Sequence, residues 1–338
     1  MPCHTIVHRQ DWFLEESYRA RTDREEPGFL DRSFELHFNE RPFLNHFSYL
    51  FITRTTKERM RQQSNFSVLC RGHILPREVR DKDGILRFLE AVEQFGRIIC
   101  DSGLVRLERL TTEEITGKGK EAGLVEKYFS LSQEDTTTLE DIRLGGAEMR
   151  IGDKRLSVHT LSDADDLPSA VRTDGRYEKY STDRSDCRLS FAAPVGLMLP
   201  YNHICNQYVF IDDPAETLRH FEKAARNMRS LSRYSRANEI NRQWTEEYLN
   251  EAHSFGLVPV RCHCNVMAWS EDWERLRNIR NDTGSALAQM GCKPRHNTVD
   301  APTLYWAGIP GGEGDFPAEE SFHLSLIHIS EPTRPISI

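Results

Sequence analysis

Cys262, His263 and Cys264, with Cys292 and His296 further along, form the densest group of metal-ligating residue types in the chain. Zinc sites ordinarily separate paired cysteines by two or more residues, whereas only one lies between Cys262 and Cys264. In an extended segment that spacing puts both thiols on the same face as Val258, Val260 and Val266, so core cysteines are expected rather than ligands. Asp81 to Gly84, DKDG, matches part of a calcium loop, but Val79 stands where the first carboxylate belongs, and a turn is the reading. Residues 208–213, YVFIDD, resemble the apolar strand with terminal acids that holds magnesium in P-loop ATPases. Such a strand works only with a G-x-x-x-x-G-K-[ST] cradle, whose amides and lysine hold the nucleotide, and the sequence contains none. Asp213 is therefore expected to cap a helix, with Pro214 at its first position and Glu216 placed for a capping-box-like arrangement. G-x-S-x-G, H-E-x-x-H and dinucleotide fingerprints are likewise absent, so no residue is assigned a catalytic, cofactor-binding or metal-binding role.

One surface signal remains. Arg226, Arg229, Arg233 and Arg236 recur every three or four residues, a basic stripe that could touch phosphates or acidic protein. Glu222, one turn before Arg226, could pair with it and leave an ordinary solvated face.

The elements that would position these groups alternate irregularly. Residues 47–55 (FSYLFITRT) and 66–71 (FSVLCR) are dense in β-branched or aromatic residues and predict strands. In residues 83–103, Ile85, Phe88, Leu89, Val92, Phe95 and Ile99 share one face of a helix that Gly103 stops. Thr112, ahead of Glu113 and Glu114, reads as an N-cap. Residues 147–160 predict a hairpin turning at Gly152 and Asp153. Residues 187–199 and 206–211 predict core strands, and a long helix spans 214–255. Its apolar face moves from Phe221, Ala225, Met228 and Leu231 to Ile240, Trp244 and Tyr248, which implies a kink or two halves with different partners. Residues 257–269 read as a strand, a helix starts at Ser270 and ends at Gly291, and residues 303–309 (TLYWAGI) read as the final strand. The interleaving lacks the strict alternation of a doubly wound fold, so the class is α+β, with mixed or antiparallel sheets and packed helices and without a P-loop domain. The polar, aperiodic residues 162–186 mark a boundary between α+β regions at 1–161 and 187–323.

The 338 residues are 38% hydrophobic and 28% charged, enough for a sizeable core. No apolar run approaches the ~20 residues of a membrane-spanning helix, and the first residues lack the basic and apolar regions of a signal peptide. Eight scattered cysteines fit a reducing compartment, and the cytoplasm is expected. A net charge of −8 confines any nucleic-acid binding to a local surface. Residues 324–334, LSLIHISEPTR, resemble, residue for residue, the translation of a transposon-end adaptor used in sequencing libraries. Residues 324–338 are accordingly expected to be an artefact tail without bearing on the fold.

Several long strings resemble the N-terminal region of the TraG family of conjugative-transposon ATPases, the motors of type IV secretion. They are HRQDWF (8–13), RSFELHFNERP (32–42), TKERMRQQSNFS (56–67), STDRSDCRLSFAAPVG (181–196), NQYVFIDD (206–213), SRYSRANEIN (232–241), HCNVMAWS (263–270) and PRHNTVDAPTLYW (294–306), distributed over nearly all of 7–322. The resemblance implies a parent in two parts: a non-catalytic N-terminal region that docks the motor onto the transfer apparatus, then a RecA-like ATPase domain. ATP and magnesium would belong to the second part alone, and no nucleotide-binding residue carries over to this chain. The family extends further upstream, which would make Met1 an internal methionine. Implied partners are type IV secretion subunits and further copies of the parent, at a cytoplasmic position peripheral to the inner membrane. The alternative is a self-contained DNA-binding or DNA-processing accessory protein of the same transfer system, using the arginine stripe.

Overall fold

β1 (Cys3–Glu16) and β2 (Phe43–Thr56) pair antiparallel along their whole length, from Cys3 opposite Thr56 to Glu16 opposite Phe43. The computed structural model describes residues 3–16, 28–39, 43–56, 81–134, 140–143, 149–168, 175–178, 181–196, 199–231 and 236–324. Helix α1 (Phe29–Asn39) lies between the two strands in the chain. Ile6, His8, Gln10 and Trp12 alternate along β1 and are all fully buried, so one face of this strand is inside although half of it is polar.

The free edge of β1 accepts β8 (His203–Ile211), which pairs with β9 (Val260–Ser270). β9 then meets β5 (Lys154–Leu161), followed by β4 (Met149–Ile151) and β3 (Ile142–Arg143). The order is β2-β1-β8-β9-β5-β4-β3, with β10 (Arg295–Asn297) also on β5 and β11 (Phe322–Leu324) on β9. Every pairing is antiparallel, and with the helices the fold is α+β. The sheet draws strands from both sides of residues 162–186, so that polar stretch does not divide it into two sheets. A separate short ribbon, β6 (Gly175–Arg176) with β7 (Arg188–Leu189), forms within and just after the stretch.

The main core covers one face. Ile6, Trp12, Ile204, Tyr208, Phe210, Met267 and Trp269 pack with Tyr128 of α4 (Leu124–Ser130), Leu304 and Tyr305 of α9 (Ala301–Ala307), and Phe316. Tyr128 and Tyr305 donate their hydroxyls to each other's backbone carbonyls, at 2.8 and 3.3 Å, and their rings stack at 4.9 Å. Buried aromatics of this size each stabilise by roughly 1.5–3 kcal/mol. Across the sheet, a smaller cluster joins Leu161, Val266 and Cys292 to Ala286 and Leu287 of α8 (Trp273–Gln289).

Several expectations hold in position. Helix α2 (Lys82–Asp101) occupies its expected span, the hairpin turns at Gly152 and Asp153, and Gly291 takes a φ of +77° beyond α8, a conformation glycine adopts without a Cβ clash. Caps shift by a residue or two. Thr111 rather than Thr112 caps α3 (Thr112–Thr116), in a reciprocal capping box with Glu114, and Asp272 rather than Ser270 caps α8. Three expectations are corrected. Residues 303–309 are not a strand: Pro302 opens α9, and adjacent Leu304 and Tyr305 are both buried, as a helix allows and a half-buried strand does not. In residues 187–199 the Arg188–Leu189 strand is followed by a single helical turn, α5 (Ala193–Gly196). The helix expected over 214–255 divides, as its shifting apolar face implies, into α6 (Pro214–Leu231) and α7 (Arg236–Phe255), but the halves pack on each other rather than on different partners, through Phe221 and Tyr248, whose ring centroids are 5.3 Å apart. The strand expected at 66–71 lies outside the described residues, as do residues 325–338 of the expected tail; Leu324 pairs with Val260.

Candidate functional site

The chemically richest side chains meet inside the sheet. His8 Nε2 and Gln10 Nε2 both donate to Asn206 Oδ1, at 2.9 and 3.0 Å, and Trp12 Nε1 donates to Gln10 Oε1 at 2.8 Å. Asn206 Nδ2 donates to Asn265 Oδ1, and Asn265 Nδ2 lies 3.1 Å from His263 Nε2. On the other side of that ring, His263 Nδ1 donates to the carbonyl of Glu320. His8 Nδ1 reaches Glu313 Oε1 at 3.2 Å, and Thr53 donates to Glu313 Oε2 at 2.7 Å. The register brings these groups together: Gln10 lies opposite Asn206, and Asn206 opposite Asn265. His8, Gln10, Asn206, His263, Asn265 and Glu313 are all buried. Burial pushes the His263 imidazole down to about 4, so it is neutral and its Nε2 accepts. A network of this kind is closed to substrate; it fixes strand register and anchors residues 308–320 onto the sheet.

Asp212 and Asp213 are both engaged structurally. Asp213 Oδ1 accepts from the amides of Ala215 and Glu216, capping α6 as its type and the following proline imply. Asp212 accepts from His4 at 2.7 Å and from Arg261 at 2.6 Å, and Arg261 continues to Ser321 Oγ. Burial alone would raise the Asp212 carboxyl, but the bonds from His4 and Arg261 hold it well below the usual carboxylate range.

The cysteine and histidine group is divided by the sheet. Cys264 and Cys292 pack with Val266 on the α8 side, while His263 joins the polar network on the other. Burial raises the thiols of Cys262 and Cys292 to about 11 and that of Cys264 to about 12, which keeps them protonated. His296 lies opposite His159 on β10, with ring centroids 5.3 Å apart. Asp81 precedes α2 as its N-cap residue and is exposed.

Arg226, Arg229 and Arg236 are exposed, and Arg233 lies outside the described residues. Arg226 Nε donates to the backbone oxygen of Glu222, not to its carboxylate, which lies 3.5 Å from His253 of α7. Because α6 and α7 run back along each other, Arg226 and Arg229 near the end of α6 and Arg236 at the start of α7 gather at the far tip of a helical hairpin. Trp244 stands 65% exposed on the same hairpin.

Helix α2 buries none of its residues. Leu86 and Ile98 are 58% and 63% exposed and lie off the expected apolar face; on that face Ile85, Leu89 and Phe95 are exposed and Phe88, Val92 and Ile99 half-buried, so it is only partly covered. A cavity of about 710 Å³ lies between Tyr49 and the α3–α4 segment, lined in part by Glu113, Glu114, Lys118 and Lys127. Its charges are partly matched within the wall: Lys118 pairs with Glu113 at 2.8 Å, and Glu114 closes the Thr111 capping box.

The polar network went unread in the sequence because its members are spread over β1, β8, β9 and residues 313–320. A signal was present in His8, Gln10 and Trp12, which alternate within HRQDWF, and in Asn206 and Asn265 within NQYVFIDD and HCNVMAWS. Three of the strings that carry the family resemblance thus converge on adjacent strands. No family model and no curated protein matches the chain. Among the described residues, no helix is long and apolar enough to cross a membrane.

Proposed function

We propose that this chain is a non-catalytic docking region of a conjugative-transfer ATPase, holding the motor against subunits of a type IV secretion apparatus at the cytoplasmic side of the inner membrane. The observation that carries the docking role is the apolar surface that α2 leaves exposed, Ile85, Leu86, Leu89, Phe95 and Ile98, on a helix with no buried residue. Exposed apolar surface grouped on one element marks contact with another macromolecule, and the polar chemistry of the sheet is consumed internally. The family resemblance supplies the partner class. ATP and magnesium belong to the ATPase part of the parent.

The test is to place Leu89→Asp with Ile98→Asp in the full-length parent and measure transfer and ATP hydrolysis together. Loss of transfer with hydrolysis retained is the expected result; normal transfer would remove α2 as a docking face. The second reading, a DNA-binding accessory protein, rests on the arginines at the hairpin tip. Steeply salt-dependent DNA binding that Arg226→Glu with Arg229→Glu abolishes would favour it.

A further inference from the structure

The cavity of about 710 Å³ between Tyr49 and the α3–α4 segment has the size of a small-ligand site, and its chemistry changes from the covered end to the mouth. Its covered end is made by Tyr49, half-buried on β2, by Leu124, buried at the start of α4, and by Gln133 beyond that helix. Gln133 Nε2 is shut off from solvent and has no hydrogen-bond partner among the described residues. The amide lies near enough to Tyr49 to lower its phenol against the larger rise that burial causes. A buried donor left unmet is costly, and an acceptor brought in by a ligand removes that cost.

Leu110 and Ala122, both half-buried, carry an apolar wall outward from this end. At the mouth stand Glu113, Lys118 and Glu121, all exposed. Around the whole cavity three carboxylates, Glu113, Glu114 and Glu121, outnumber the two ammonium groups of Lys118 and Lys127, so the wall is acidic. Glu113 pairs with Lys118 at 2.8 Å and Glu114 accepts from the amide and hydroxyl of Thr111, whereas Glu121 makes no ion pair among the described residues.

A ligand must therefore bring an acceptor for the covered end, an apolar stretch for the wall and a cation for the mouth. A metal ion would leave the Gln133 donor unmet, and a phosphate or carboxylate would enter against the acidic wall. A lysine or arginine within a peptide meets all three conditions. Its backbone carbonyl accepts, its aliphatic stem covers apolar surface, and its charged head stays at the solvent margin.

We propose that this cavity binds a lysine or arginine residue of an extended peptide, with Gln133 and Tyr49 donating to its backbone carbonyl, Leu110 and Ala122 against its stem and Glu121 at its cationic head.

The test is fluorescence anisotropy of the full chain with a labelled, end-blocked pentapeptide of lysine flanked by glycines, and with its arginine, glutamate and norleucine counterparts. Saturable binding of the lysine or arginine peptide is expected, weakened about three- to tenfold by Glu121→Gln and by Gln133→Leu, which remove one ion pair and one hydrogen bond. Gln133→Leu also removes the unmet donor, so it should melt at the same temperature as the unaltered chain or higher. A lower melting temperature with binding intact would make the amide structural and overturn the site. No saturable binding by the folded chain, equal binding of the glutamate or norleucine peptide, or unchanged affinity in both variants would each do the same. Binding is read on the isolated chain, so it stands or falls apart from docking through α2.

Discussion

His8 and Glu313 are 305 residues apart in sequence and 3.2 Å apart in the fold, both sealed from solvent. The contact ties the first strand to a short turn after α9. It is reinforced by Thr53 on β2, which donates to the other carboxylate oxygen. Glu313→Ala would leave these donors unmatched. Removing one member of a buried, hydrogen-bonded set costs about 3–5 kcal/mol, so a large fall in the urea midpoint is expected. Glu313→Gln, which keeps the shape and one acceptor, should lose clearly less. Equal, small losses would show that the turn is not anchored there.

Acid should destabilise the chain well before its carboxylates titrate. His159, His203 and His263 are each pushed down to about 4 by burial, against an ordinary value of 6.5. The unfolded chain therefore binds more protons between these values, and stability rises with pH across the window. It is fully present above about 6.5 and is lost as pH falls towards 4, by up to about 3 kcal/mol for each histidine. Thermal unfolding followed from pH 7.5 downward checks this; a midpoint that holds steady to pH 4.5 would contradict it.

The thiols of Cys262 and Cys292 should resist a disulfide reagent at pH 8 in the folded chain and react fully in denaturant, because burial keeps them protonated and covered. Rapid reaction of the native protein would show that the α8 side of the sheet opens readily.

If these arginines are an interaction surface of the proposed transfer ATPase, Arg226→Glu combined with Arg229→Glu should abolish transfer by its full-length form while moving the melting temperature by no more than a degree or two, since exposed substitutions usually change stability by less than about 0.5 kcal/mol. A large loss of folding would make these arginines structural, and normal transfer would return them to a solvated surface.

The elements that were legible in the sequence are those whose local chemistry agrees with their place in the fold. Gly152 and Asp153 set a hairpin between two strands with apolar inward faces, and Gly291 ends α8 as its backbone requires. β1 was silent because its inward residues include His4, His8 and Gln10, so burial left no hydrophobic alternation to read. TLYWAGI has the aromatic content of a strand, yet Pro302 and the core around Tyr128 make it a helix. The arginine stripe was read along the first half of one long helix, and the division into α6 and α7 instead puts Arg236 on a different helix from Arg226 and Arg229. The polar network does not follow from local spacing, because strand register alone brings its residues together.

The docking role is tested most directly by competition. If the proposed docking role holds, this chain, produced in donor cells that carry the proposed parent ATPase intact, should occupy that ATPase's place on the transfer apparatus and lower the transfer frequency about tenfold or more, whereas the folded Leu89→Asp, Ile98→Asp variant should not. Unchanged transfer in the presence of abundant, folded chain, or equal inhibition by chain and variant, would contradict docking through α2.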